Sequence, residues 1–322
     1  MDGVGAVGRA VQVEEANEGE TGASQLRRST DRTVAATQVV DFGQEGQRYA
    51  RSLGGLVEVY RDAQVRVVSD AGMTSAQGHA LADRVEEAYR FDARKQHWPD
   101  TEPLGKTITV AALSRGAFAQ VTGDTSGSVA GVTTSPDVFA MPASQATRRS
   151  ADGDATIAHE LGHVQDLREA GRRISQVPIY LQEGKEYLLG DMYPSSRGAT
   201  GHSLQSVTWE LGRISGTDAL DVMRNFRTVR DEAEAGPLGF RGEVVGALFV
   251  EFLRTRLNGG TPDAIGKVAD VIADVGQGAT YDEAFESRFG VAPTEAETAF
   301  VRYVAQTTGN PWERLRGTLY YG

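Results

Sequence analysis

The chain has 322 residues, 40% of them hydrophobic and 24% charged, with a formal net charge of −11 and no cysteine. That length and balance suit one catalytic unit with an ample core, and the negative charge opposes a nucleic-acid partner, whose phosphates it would repel. The lack of cysteine excludes disulfides and thiolate metal ligands, leaving imidazole and carboxylate as metal donors, and no run approaches the ~20 apolar residues that membrane insertion needs.

The opening residues, Met1-Asp2-Gly3-Val4-Gly5, carry neither a basic n-region nor an apolar h-region. The expectation is no Sec signal, hence a protein that is cytoplasmic or exported by a specialised non-Sec route. Residues 1–50 read as a polar, disordered or weakly helical leader, acidic at Glu14, Glu15, Glu18 and Glu20 and basic at Arg27, Arg28 and Arg32, with few large apolar residues to pack. Over 75–91, Ala76, Leu81, Val85, Ala88 and Tyr89 recur at a helical period. Residues 108–113 form a β-type run rich in branched side chains, followed by turn residues Gly123, Asp124 and Gly127. Two further extended segments, 128–133 and 138–141, lead through an Arg-containing loop to the next helix. Helical apolar spacing returns over 204–214, 219–229, 243–257, 264–275 and 294–306.

Between the strands and the later helices lies Thr156-Ile157-Ala158-His159-Glu160-Leu161-Gly162-His163-Val164. This is HExxH, with Ile157, Leu161 and Val164 supplying an apolar face. Side chains four apart lie one above the other on a helix, so His159 and His163 can offer two nitrogens to one metal ion. Glu160 projects close enough to a metal-held water to take its proton, the arrangement of a zinc hydrolase. Catalytic zinc needs a third protein ligand. A second helix is predicted to start at Pro178, whose missing N–H costs nothing in a first turn, and to stop at Gly190. It carries Glu183 and Glu186, with Asp191 just beyond the expected stop. Glu186 reads as a solvated carboxylate.

Here the chain resembles the gluzincin metallopeptidases, in which HExxH is followed by a glutamate ligand on a second helix. Glu183 follows His163 by 20 positions. The segment Pro178 to Gly184 is similar to the Pro-x-Trp-x-x-Glu-Gly stretch of the peptidase-MA-like families, with Tyr180 standing where Trp is usual. The resemblance implies that His159, His163 and Glu183 hold one catalytic Zn2+ and that Glu160 is a general base, not a ligand, in the hydrolysis of a protein or peptide substrate. It also implies an α+β, zincin-like fold over residues 51–322. Its parts would be an N-terminal mixed sheet and helix subdomain (about 55–170) ending in the active-site helix, and a helical C-terminal subdomain (about 171–322).

In such peptidases an edge strand beside the active-site helix pairs with substrate backbone, and 129–134 is the segment expected to do so. Tyr187, Tyr193 and His202 are candidates for the oxyanion donor, with Arg241 an outsider, because Glu243 sits where relatives often bear a tyrosine. An Asp four residues after the ligand Glu is replaced by Tyr187, and Asp166, one turn past His163, reads either as its substitute in supporting a ligand histidine or as part of a solvated helix face. The Gly-x-Met-x-Asn exopeptidase sequence is missing around 126–132, which favours an endopeptidase. The alternatives are an inactive pseudoprotease acting as a peptide-binding module, and an exported effector protease.

Overall fold

The computed structural model describes residues 55–98, 106–123, 129–199 and 239–307. The polar leader, the two helices expected over 204–214 and 219–229, and His202 lie outside the described residues. The fold is mixed α/β, and the chain divides into two compact units, Met1–Arg90 with Thr101–Val164 and Phe91–Asp100 with Gln165–Gly322.

The first unit is built on a five-stranded mixed sheet. Its strands are β1 (Val57–Arg61), β2 (Val65–Ser69), β3 (Ile108–Leu113), β4 (Val132–Ser135) and β5 (Val138–Pro142), in spatial order β1-β2-β3-β5-β4. The outer pairs, β1 with β2 and β4 with β5, are antiparallel, while β3 runs parallel to both its neighbours. Every residue of β3 is buried, as expected of a strand covered on both faces. Successive side chains alternate between those faces. One row across the sheet is Val68, Ala111, Ala140 and Val132, which packs into a core with Ala117 and Phe118 of α2 (Arg115–Thr122). The opposite row is Val67, Val110, Phe139 and Thr133. Strand β4 closes the order at one edge and is only half-buried. Of the sequence expectations, 108–113 is matched as a strand, 138–141 is extended by Pro142, and 128–133 is a strand only from Val132. The helix expected over 75–91 runs longer, as α1 (Ser75–Lys95), because Phe91 and Ala93 are buried too.

Helix α1 braces the entry to the HExxH helix. Arg84, whose side chain is 4% exposed, pairs with Asp154 at 2.8 Å and donates from Nη1 to the carbonyls of Gln145, Ala146 and Arg148. Those carbonyls belong to the short α3 (Ala143–Ala146) and the turn leading to α4 (Ala151–Ala170). Ser150 accepts from the Gly153 N–H, and Asp152 and Asp154 place negative charge at the first turn of α4, with Arg168 in its last.

The second unit is helical, with α5 (Ile179–Ser196), α6 (Gly239–Thr255), α7 (Ala264–Gln277), α8 (Tyr281–Phe289) and α9 (Pro293–Thr307). Helix α5 does not stop at Gly190 but continues through it to Ser196. Thirteen residues of α5 are buried, Gly190 and Asp191 among them, so burial outweighs the roughly 1 kcal/mol helix penalty of glycine. Helices α5 and α6 touch backbone to backbone. A Cβ on Gly184 would lie 2.1 Å from the carbonyl carbon of Gly246, and one on Gly246 would lie 2.0 Å from the Tyr180 carbonyl oxygen. Phe249 of α6 packs edge-on against Tyr180 and Phe300. No helix among the described residues is long and apolar enough to cross a membrane.

Candidate metal centre

Helix α4 displays the HExxH residues as the spacing predicts. Ile157, Leu161 and Val164 are buried, and His159 and His163 are half-buried on another face. Their Nε2 atoms stand 3.1 Å apart with the rings nearly perpendicular. A tetrahedral zinc with bonds of ~2.0–2.1 Å holds its ligands roughly 3.3 Å apart, so this pair of nitrogens fits two corners of such a site. Neutral imidazole and carboxylate are also donors that zinc accepts.

Ligand atoms of His159, His163 and Glu183 all lie within 4.8 Å of one another, a group that could hold a metal ion. Glu183, 7% exposed, sits one residue before the Gly184 contact that locks α5 against α6. Just upstream, the Gln182 side-chain amide donates to the carbonyls of Ile174 and Val177, at 3.2 and 2.8 Å. Tyr180, one turn before Glu183, donates to Glu297 at 2.6 Å. Burial, with Tyr281 and Glu297 beside it, raises the Tyr180 phenol well above its ordinary pKa, so it stays a donor.

A second group within the same limit is His163, Asp166 and Glu186. Glu186 is not the solvated carboxylate that the sequence suggests. It is fully buried and 2.5 Å from the Lys185 ammonium. Lys185 is itself fully buried, lies 2.7 Å from Asp166 and also donates to Gln96. Burial works against its charge, but Asp166 and Glu186 outweigh that and raise the Lys185 pKa above its ordinary value. Both carboxylates of the second group are therefore committed to an ammonium ion, which makes the first group the better metal site.

Glu160 is 4% exposed, and its carboxylate Oε2 accepts from the Thr133 hydroxyl at 2.8 Å. Neither Thr133 nor Lys185 stands out in the sequence, because Glu160 lies 27 residues from the one and Asp166 lies 19 residues from the other. Tyr187 and Tyr193 are both buried, and Tyr193 packs against Phe91 with the Arg197 guanidinium over its ring. Glu243 is half-buried, and the Arg241 side chain lies outside the described residues. Asp191 is buried within α5 rather than lying beyond its end. Compared with known proteins, the chain matches no family model and no curated protein.

Proposed function

We propose that this chain is a zinc-dependent metallopeptidase of gluzincin type, with a zincin-like arrangement of its α/β fold, and that it acts as an endopeptidase. The observation that carries the reading is the grouping of His159, His163 and Glu183 beside a buried Glu160. In this reading the two imidazoles and Glu183 are the zinc ligands. Bound zinc supplies Lewis acidity, drawing the pKa of a water down to about 7 and polarising a peptide carbonyl. Glu160 would be the proton carrier, its carboxylate accepting a proton from the water that adds to the carbonyl carbon and returning it to the amide nitrogen as the C–N bond breaks. Strand β4 supports a peptide substrate, because it is an edge strand on which an extended chain can add.

Zinc content and cleavage test the reading together. About one zinc per chain is expected by elemental analysis, retained in Glu160→Gln and lost in Glu183→Ala. Cleavage of a mixed-sequence peptide pool with blocked N-termini is expected to fall ~10²–10⁴-fold in Glu160→Gln. A wild-type chain that binds no zinc overturns the proposal.

A further inference from the structure

We infer that Thr133, carried on the edge strand β4, is the positioning residue of Glu160, its hydroxyl tying the carboxylate to the sheet while Gly131 leaves the room the carboxylate occupies. The inference rests on the peptidase reading for its catalytic consequence, but its geometry lies wholly within the sheet unit.

Thr133 Oγ1 is 2.8 Å from Glu160 Oε2 and 3.0 Å from the Glu160 main-chain carbonyl oxygen. A hydroxyl has one proton to give. Donation to the ionised carboxylate is the shorter and charge-assisted choice, and such bonds are about twice as strong as neutral ones. The other carboxylate oxygen lies against the strand as well. A Cβ on Gly131 would sit 2.5 Å from Glu160 Oε1, 2.7 Å from Glu160 Cγ and 2.7 Å from Thr156 Cγ2. The carboxylate is thus bracketed by two residues of one short stretch, Oε2 on the Thr133 hydroxyl and Oε1 over the Gly131 backbone.

The sheet register explains why Thr133 arrives there. It pairs with Phe139 and so continues the row Val67, Val110, Phe139, as the polar member at the sheet edge. Immediately after it the β4–β5 register slips, Thr133 pairing with Phe139 but Ser135 with Val138. A bulge of this kind re-aims side chains at a strand end. A free glutamate side chain gives up rotamer freedom when fixed, and a proton acceptor is effective only when held within about 0.5 Å of its working place. Thr133 supplies that restraint as a neutral hydrogen-bond donor.

The test uses Thr133→Val, which keeps the shape and removes the hydroxyl, and Thr133→Ser, which keeps the hydroxyl, each in the full chain with Glu160 or with Glu160→Ala. Urea unfolding of the metal-free protein reads the contact without any substrate. Thr133→Val is expected to raise the unfolding equilibrium constant about tenfold where Glu160 is present and less than twofold in Glu160→Ala, a coupling that only an interacting pair shows. Zinc-loaded protein on the blocked peptide pool is expected to lose about tenfold in kcat in Thr133→Val, with KM within about twofold and zinc retained. Thr133→Ser should stay within about threefold of wild type. Equal unfolding effects in both backgrounds, or a serine variant as impaired as the valine one, overturn the inference. A wild type that cleaves nothing in the pool overturns the peptidase reading and the catalytic part of this one, while the unfolding cycle still decides whether the hydroxyl holds the carboxylate.

Discussion

Two glutamates of the candidate centre are held in opposite ways. Glu160 is fixed through its side chain, by a hydroxyl on the edge strand β4 and by the bare backbone of Gly131 just before that strand. Glu183 is fixed through its main chain, because the residue after it is pressed backbone to backbone against Gly246. The first arrangement restrains one carboxylate and leaves the strand that holds it at a sheet edge. The second restrains a helix and leaves no slack for any added atom. That difference suits the roles proposed for them, since a base must exchange protons and a ligand must stay in place.

The comparison breaks first at Lys185. Its replacement by Ala leaves Asp166 and Glu186 buried without their ammonium, and the expected loss is about 3–5 kcal/mol in urea unfolding. The pH dependence follows from the raised pKa of Lys185. A raised folded pKa means that the stabilisation is complete below the ordinary lysine pKa and is lost as pH climbs through the folded value. The unfolding midpoint should therefore carry this contribution undiminished through neutral pH and lose it only in strong alkali, a loss that Lys185→Ala should not show.

Next in size is Gly184→Ala. The added methyl meets main-chain atoms that cannot rotate away, and the expected cost is about 3 kcal/mol, together with loss of bound zinc as Glu183 is displaced. Gly131→Ala should cost less, about 1–2 kcal/mol, because its neighbours are side chains of Glu160 and Thr156 that can shift. It should retain zinc and lose cleavage, which sharpens the contrast between a ligand held by backbone and a base held by side chain. If Gly131→Ala loses zinc as completely as Gly184→Ala, the contrast fails. The smallest effect belongs to Thr280→Ala, which removes a capping box at the start of α8 and should cost about 1 kcal/mol without touching zinc content.

Local spacing explains what could be read from the chain. The run Ile157, Leu161, Val164 announces a helix face, and the four-residue interval of His159 and His163 fixes their common side, so both are legible without tertiary information. The later helix over 264–277, expected over 264–275, is legible for the same reason, its apolar residues recurring at the helical period. Strands β1 and β2 passed unread, being five residues each, with charged residues interleaved among the apolar ones. Gly190 was misleading because glycine stops helices that meet solvent, whereas α5 is buried through it. Glu186 and Asp166 looked like solvated charges because nothing local reveals that Lys185 turns inward to meet both. Thr133 was legible as part of an edge strand, but its hydroxyl acquires meaning only when the sheet brings it to Glu160.

Lys185 also gives the helical unit an internal clock. The chain has four lysines, and the amine of this one has no solvent exposure and three oxygen neighbours. An acylating reagent can reach it only when α5 opens, so the lag between its modification and that of exposed Lys106 reports how often that helix leaves its seat.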